Sequence, residues 1–179
     1  LPGVAMSLII MGHTAVSAFV AVHVSAIGVG NVGVALAIYG VVNIVVRIAA
    51  VRLVDGLGTF WGVMLAATAV ASGTLLIGVW WTPVGLYLGI VLVAVGQSLQ
   101  GPLLATAVFH AAPPDERAAA VGTYSAFADL SVSAGSALLG AVAAGLGSPA
   151  AAFVAAAVLA LMAIPFVFRR RQGRASAMA

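Results

Sequence analysis

The chain has 179 residues, of which 64% are hydrophobic and only 6% are charged. A soluble domain carries about 25% charged residues, so this composition excludes a protein whose surface faces water on all sides. The net charge of +3 reflects seven basic residues against four acidic ones. All seven basic residues are arginines, and they are divided among two connections and the C-terminal segment. This spread is not the clustered basic face of a nucleic-acid-binding protein. We therefore expect an integral membrane protein whose surroundings are the lipid bilayer.

Six apolar stretches follow one another along the chain. Each has about the 20 residues that a helix needs to cross a hydrocarbon core of ~30 Å. A helix satisfies its own backbone groups in lipid, whereas membrane strands alternate in polarity over about 10 residues. We expect an all-α bundle over residues 1–168 and a basic cytoplasmic tail over 169–179, as part of a longer product. The predicted transmembrane helices cover 4–24, 31–51, 60–80, 83–110, 118–146 and 149–168.

The arginines predict the orientation of this bundle. Arg47 and Arg52 flank the connection between the second and third helices, Arg117 lies between the fourth and fifth, and the others follow the sixth. Basic residues in short connections mark the cytoplasmic side. Trp80 and Trp81 fall at the opposite boundary, where an aromatic belt is expected. Both termini are therefore expected in the cytoplasm, in a multi-pass protein of the cell (plasma or inner) membrane.

Polar side chains recur at helical spacing on the first, second, fourth and fifth helices, whereas the third and sixth have few and are expected to face lipid. Two helices with polar residues followed by one helix with few occur twice along the chain. This order is typical of transporters built from two inverted repeats of three helices. A polar face on four helices needs a second surface across a water-filled cavity, so a partner half is expected. The polar positions are His13 and Ser17, then Tyr39, Asn43 and Arg47, then Gln97 and Gln100, then Ser125, Asp129, Ser133 and Ser136.

Some of these side chains are candidates for binding a small-molecule substrate. Single Ser and Thr residues are expected to bond their own helix backbone. Gln97, Gln100 and Asn43 are harder to place in lipid, and they are uncharged hydrogen-bonding groups on helices that should line the cavity, as is Tyr39. No phosphate-binding loop is present, since there is no lysine to complete one. We expect no cofactor and no metal site.

Two side chains are candidates for proton coupling. Asp129 is the only acid inside a predicted membrane helix, and a charged carboxylate there costs about 2.5–3.5 kcal/mol. It must therefore be protonated, paired or open to a cavity. A hydrogen bond to a neighbouring helix, for example to Asn43, is the structural alternative. His13 lies near mid-membrane, where a packing role and a proton or substrate role are equally open.

The segment RLVDGLGTF at 52–60 resembles a connection found in each half of major facilitator superfamily transporters. The family pattern there is roughly G-x-x-x-D-R-x-G-R, in which Asp55 and Gly58 match. Val51, Gly56 and Thr59 stand where the first glycine and the two basic residues would be. The match is degenerate, as the copy in the second half of the family often is.

The stretch 96–130 is similar to helices ten and eleven of the drug and sugar efflux branches of that family. It contains a Gly-Pro kink at Gly101 and Pro102, a P-x-x-x-R connection from Pro113 to Arg117, and a glycine-rich helix after it. The resemblance implies that the chain is the C-terminal half, helices seven to twelve, of a twelve-helix secondary transporter. It also implies proton-coupled efflux of a drug or sugar by antiport, with Asp55, Gly58 and Arg117 as the cytoplasmic connection motif.

The acids beside Arg117 have a structural interpretation. Asp115 and Glu116 precede the fifth helix, where negative charge favours the N-terminal end of the dipole. A modest ion pair between Arg117 and either acid is also expected.

Two other functions are open. A six-helix intramembrane hydrolase would fit Gly96, Gln97 and Ser98 as a G-x-S start, but a serine nucleophile needs a base within reach and the sixth helix has no histidine. A channel or a non-transporting membrane scaffold is the third class, although no ring of charges or carbonyls typical of a channel is present.

Overall fold

The computed structural model describes the backbone of residues 2–29 and 31–176, and their side chains except at 2–3, 5, 50–57 and 166–176. All regular structure in this part of the chain is helical. The helices are α1 (Pro2–Ala26), α2 (Val32–Val79), α3 (Pro83–Ala111), α4 (Arg117–Leu146) and α5 (Pro149–Ser176).

α2 contains the second and third predicted membrane helices in one bent element. Only Gly58 has non-helical angles inside it, with φ 67° and ψ 152°. The predicted connection at 52–59 contains this break, although helical backbone continues through residue 57 and resumes directly after Gly58. A residue without Cβ adopts this left-handed φ at no steric cost, so one glycine makes the break. We call 32–57 the first arm and Gly58–Val79 the second arm.

The six predicted membrane segments are otherwise present. Five segments are long and apolar enough to cross a membrane: Met6–Ala26, Val32–Ala49, Gly58–Val79, Pro83–Ala111 and Arg117–Leu146. The apolar part of α5, Pro149–Pro165, is shorter within the described residues. The helical backbone of α5 continues beyond the predicted end at 168, to Ser176.

Local capping explains where several helices begin and end. The side chain of Asn31 accepts a hydrogen bond from the Gly33 N–H at 2.9 Å, and Thr82 caps α3 through the Gly85 N–H at 3.2 Å. Gly147 ends α4 in the left-handed conformation, with φ 65°. Glu116 occupies the N-cap position of α4 but makes no capping hydrogen bond. Its backbone is in the right-handed helical region, not the extended conformation that an N-cap side chain needs.

The first three membrane helices (α1 and the two arms of α2) form one triplet, and α3, α4 and α5 form the other. Helices of each triplet pack on helices of the other. The first helix of the first triplet, α1, packs on α4, the second helix of the other triplet, and Oγ of Ser7 and Ser131 are 2.7 Å apart. In the same way α3 packs on the first arm, where the Ser98 hydroxyl lies 3.1 Å from the carbonyl oxygen of Asn43. This reciprocal pairing is the arrangement expected of a 3+3 inverted repeat.

Glycines bring the second arm and α3 into backbone contact. A methyl group on Gly73 would lie 2.6 Å from the carbonyl oxygen of Gly89, and one on Gly89 would lie 2.6 Å from that of Gly73. Two turns further along, a methyl group on Gly96 would meet the carbonyl oxygen of Ala66 at 2.6 Å. Small residues at such positions let membrane helices approach closely. The second arm and α3 therefore form the most tightly packed pair in the bundle.

Burial differs strongly among the membrane segments. The most apolar windows of the second arm and of α1 and α3 are 61%, 56% and 56% buried, whereas those of the first arm and α4 are only 6% and 17% buried. The glycines and alanines of the third helix hold most of its surface against α3 and the rest of the bundle, so only one side of it is free for the expected contact with lipid. The second arm leaves one exposed stripe, formed by Trp61, Leu65, Thr68, Ser72, Leu75 and Val79.

We predict that Gly73→Ala destabilises the bundle by about 1–3 kcal/mol, because the methyl group has no room against the α3 backbone. The measurement is the thermal unfolding midpoint of the purified protein in detergent. Gly40→Ala is the matched control, since nothing lies within 4 Å of a methyl group there. The control is expected to unfold at the same temperature or higher, because alanine is the better helix former. Equal midpoints for Gly73→Ala and the unmodified protein would contradict the close contact.

Candidate functional site

Four helices form an uncovered polar face on one side of the bundle. α1 and α3 lie in its middle, and the second arm and α5 pack behind them. The first arm and α4 stand on the two flanks and make no contact with each other in the part of the chain that the structure describes. We call this surface the polar face. We call the end of the bundle with Arg47 and Arg117 the arginine end, and the opposite end, with Trp80 and Trp81, the tryptophan end.

His13 and Tyr39 meet at mid-height of the polar face. Nδ1 of His13 and Oη of Tyr39 are 2.7 Å apart, and the two rings stack with centroids 5.8 Å apart. Their contact joins α1 to the first arm. Both are partly buried, so two predicted site residues on different helices form one polar pair.

The two glutamines on α3 have different environments. Gln100 is 2% exposed, and its Nε2 donates to the Met6 carbonyl oxygen at 3.1 Å. That bond ties α3 to α1 and turns Gln100 away from the polar face. Gln97 is partly exposed, and its Oε1 is buried without a hydrogen-bond partner. The structure therefore places Gln97, but not Gln100, where a molecule on the polar face could reach it.

Asn43 and Ser98 lie at the contact between the first arm and α3. Ser98 is 1% exposed, and its hydroxyl lies 2.6 Å from the Ala94 carbonyl oxygen and 3.1 Å from that of Asn43. A buried hydroxyl that donates to the backbone is not a nucleophile, since no base takes its proton. Asn43 itself is partly exposed on the first arm.

Arg47 and Tyr124 converge on Gly101 from the two flanks. Nη2 of Arg47 would lie 3.5 Å from a methyl group on Gly101, and the Tyr124 hydroxyl donates to the Gly101 carbonyl oxygen at 3.4 Å. The sequence predicts Arg47 in the polar stripe and Gly101 at the kink. It does not predict that Tyr124 lies near either residue. The spacing of four between Asn43 and Arg47 was the one available signal.

Asp129 is exposed on α4, inside the candidate membrane span Arg117–Leu146. Its carboxylate has no hydrogen-bond or ion-pair partner among the described residues, so the suggested bond to Asn43 is absent there. Ser125 and Ser133 beside it are also exposed. The Ser133 hydroxyl donates to the Asp129 carbonyl oxygen at 3.0 Å, as expected for a serine in a membrane helix.

The predicted connection motif is only partly visible. The side chain of Asp55 lies outside the described residues, while Gly58 is the break in α2. Arg117 begins α4, and its Cζ lies 4.6 Å from the centre of the Phe109 ring. The predicted ion pair between Arg117 and its neighbouring acids is absent among the described residues. A cation–π contact takes its place.

Two further helix residues, Pro102 and His23, have defined surroundings. Pro102 lies inside α3, where it removes the backbone donor that would bond the Ser98 carbonyl. His23 is fully buried near the tryptophan end, 5.6 Å from the Trp81 ring and 5.2 Å from the Phe153 ring, centre to centre. It lies away from the polar face. In the described part of the chain, no three His, Asp or Glu side chains come together in a metal-binding group.

Comparison with known proteins identifies the family. The sequence profile of the Major Facilitator Superfamily matches residues 3–177. The chain belongs to the Major Facilitator Superfamily. This family consists of multi-pass membrane transporters rather than enzymes, and the apolar helices of the chain fit that class.

Curated relatives agree with this assignment. The chain is 29% identical over 176 residues to a Salmonella enteritidis protein named "Uncharacterized MFS-type transporter YhhS", covering 98% of the chain and 43% of the relative. It is 27% identical over 170 residues to the protein of that name in Escherichia coli K12, covering 95% and 42%. The chain thus spans less than half the length of these relatives. No solved structure matches the chain significantly.

We predict that His13 and Tyr39 are energetically coupled. Tyr39→Phe removes the hydroxyl and keeps the ring, and it should cost about 0.6 kcal/mol, the average for a hydrogen bond between membrane helices. In a double-mutant cycle with His13→Leu, measured by unfolding in bicelles, the coupling should equal that loss. Tyr87→Phe is the matched control, because the Tyr87 hydroxyl has no hydrogen bond among the described residues. A coupling of zero would show that the pair is only a packing contact.

Proposed function

We propose that this chain is the C-terminal six-helix half of a secondary active transporter that exports a small organic molecule, a drug or a sugar, by proton antiport. The single observation that carries the proposal is the exposed stripe on α4, with Asp129 inside a membrane span and no partner among the described residues. A carboxylate in lipid is costly. A water-filled cavity facing a second half removes that cost.

The uncovered flanks support the same conclusion. The first arm and α4 bury little of their surface in this bundle, yet they carry its polar stripes. A second six-helix half opposite them encloses a cavity at the repeat interface, and rocking of the halves exposes it alternately to each side. That the relatives are more than twice as long as the chain agrees with a missing half.

Proton coupling is assigned first to Asp129 and second to His13. The Asp129 carboxylate is exposed on α4 inside a membrane span, which is where a coupled proton would have to bind. His13 shares its Nδ1 with the Tyr39 hydroxyl at 2.7 Å, so gain of a proton changes which of the two donates.

Substrate contacts are assigned to Gln97, Asn43 and Tyr39, which are all partly exposed on the polar face. Gln100 is assigned a positioning role instead, because its bond to the Met6 carbonyl holds α3 against α1. The bundle over 1–168 then forms the transport unit, and 169–179 forms its basic tail.

The orientation test rests on the arginines, which predict that the arginine end faces the cytoplasm. The sequence has no cysteine, so single cysteines can be introduced without background. We predict that Ser25→Cys, exposed near the tryptophan end, reacts with an impermeant thiol reagent on intact bacterial cells. Ala111→Cys, exposed at the arginine end, should react only after permeabilisation. The reverse pattern would place the termini outside the cell.

The transport test uses liposomes with a proton gradient, and ethidium and labelled lactose as the drug and sugar probes. We predict uphill flux of at least one probe when this chain and its N-terminal half are reconstituted together, and none with this chain alone. Asp129→Asn should abolish uphill flux and leave exchange without a gradient measurable. Asp115→Asn is the control, since Asp115 is an exposed acid in a connection outside the membrane span.

Two results would contradict these assignments. Uphill flux that is unchanged in Asp129→Asn, at equal protein in the liposomes, would remove Asp129 from coupling. Absence of flux of either probe from the paired halves would favour a non-transporting scaffold.

A further inference from the structure

His23 is a polar side chain enclosed by apolar and aromatic groups at the tryptophan end. Its ring is fully buried, and both ring nitrogens lack a hydrogen-bond partner among the described residues. The rings of Phe153 and Trp81 lie against it, and a backbone group of Ile77 lies near it outside hydrogen-bond geometry. A buried polar atom without a partner has lost its bonds to water and gained none. The junction of α1, α5 and the end of the second arm therefore leaves this ring without polar support.

Polar groups at the same end are already engaged elsewhere. The indole N–H of Trp81 donates to the Gly78 carbonyl oxygen at 2.9 Å. The Ser25 hydroxyl, two residues from His23, donates to the Ala21 carbonyl oxygen at 3.1 Å. Each donor closes a bond within its own stretch of backbone. Neither of them supports the imidazole.

No counter-charge lies at this end of the bundle. The helix ends and connections there cover residues 20–29, 31–38, 74–90 and 140–157, and their sequence contains no Asp, Glu, Lys or Arg. Tyr87 on α3 is the one other titratable side chain in these segments, and it packs against apolar side chains. Burial penalises a charge that is unpaired. A protonated ring in the closed junction would have no anion to pair with.

We propose that His23 is an acid-sensitive lock at the tryptophan end. The neutral ring packs between Phe153 and Trp81 and closes the junction of α1, α5 and the end of the second arm. An imidazole in water takes up a proton near pH 6.5, and the added charge has no partner in the closed junction. Acid therefore favours the open junction. Because the tryptophan end is predicted to face outside, the lock responds to external acid.

The test is hydrogen–deuterium exchange of this chain in phosphatidylcholine nanodiscs. The readout is the protection of the α5 amides at 153–158, which begin at Phe153 and include no titratable side chain. An imidazole that is neutral when closed and free to titrate when open raises the opening constant by about thirtyfold from about pH 7.5 to about pH 5. After correction for intrinsic exchange rates, we expect acid to lower protection by about three- to thirtyfold over this range.

Two variants remove the titration at residue 23. His23→Phe keeps an aromatic ring of similar size, and His23→Gln keeps a polar side chain. In both, acid should change the protection at 153–158 by less than about threefold. His110→Gln is the matched control, because His110 is an exposed histidine at the arginine end, and it should retain the full effect of acid. Size-exclusion profiles at both pH values establish that each variant is folded.

Several results would overturn the lock. They are a smaller loss of protection in the unmodified protein, an equal loss in the variants at residue 23, or a gain of protection with acid. A gain would mean that the faces of Trp81 and Phe153 hold the imidazolium in place.

An internal comparison decides the matter even where a variant does not fold. In the unmodified chain, the loss of protection should be confined to 153–158 and absent at 160–164, which lie further along α5 toward the arginine end. A loss of equal size in both stretches would show general unfolding by acid and reject the lock. The proposal does not rest on the transporter function, because its readout needs neither a substrate nor a second half.

Discussion

The backbone contact between the second arm and α3 is the constraint on which the rest of the bundle depends. Gly73 and Gly89 each face the carbonyl oxygen of the other, and a methyl group on either glycine would lie too close to that oxygen. In lipid the hydrophobic effect does not drive helices together, so close packing of small residues must do so. This contact holds α3 at the centre of the bundle. It thereby sets the rotation of α3, and with it the direction in which Gln97 and Gln100 point.

Polar groups in the bundle fall into two classes as a result. Hydroxyls of Ser and Thr bond carbonyls of the preceding helical turn, as Thr14 does with Ile10 and Thr74 with Val70, and they create no demand for a partner. Arg47 and Asp129 cannot be satisfied in this way, because a full charge needs water or a counter-charge. They stand on the two flanks that the bundle leaves uncovered. Among the described residues, these two charges without a partner thus stand on the surface where a second half is proposed to lie.

The membrane segments were predictable because each depends on composition over about 20 residues, and their ends in the structure lie close to the predicted positions. The break in α2 falls inside the predicted connection at 52–59, but it takes up one residue, because the chain needs only the left-handed φ of Gly58 to change direction. The predicted ion pair of Arg117 is absent among the described residues. Proximity in sequence to Asp115 and Glu116 does not decide where the side chain goes, and it lies over Phe109.

Sequence alone determined the solvent, the number of membrane segments, the side with the arginines and the helices with polar stripes, because these follow from composition and from the period of a helix. Tertiary structure decided which members of a stripe share an environment. Gln97 and Gln100 are close in sequence, yet one borders the polar face and the other is buried against the Met6 carbonyl. His13 finds Tyr39, and Arg47 and Tyr124 meet at Gly101. Periodicity predicts that a residue lies on a given face of its helix. The neighbour on that face depends on how the helices pack, which here is governed by glycine contacts between the second arm and α3.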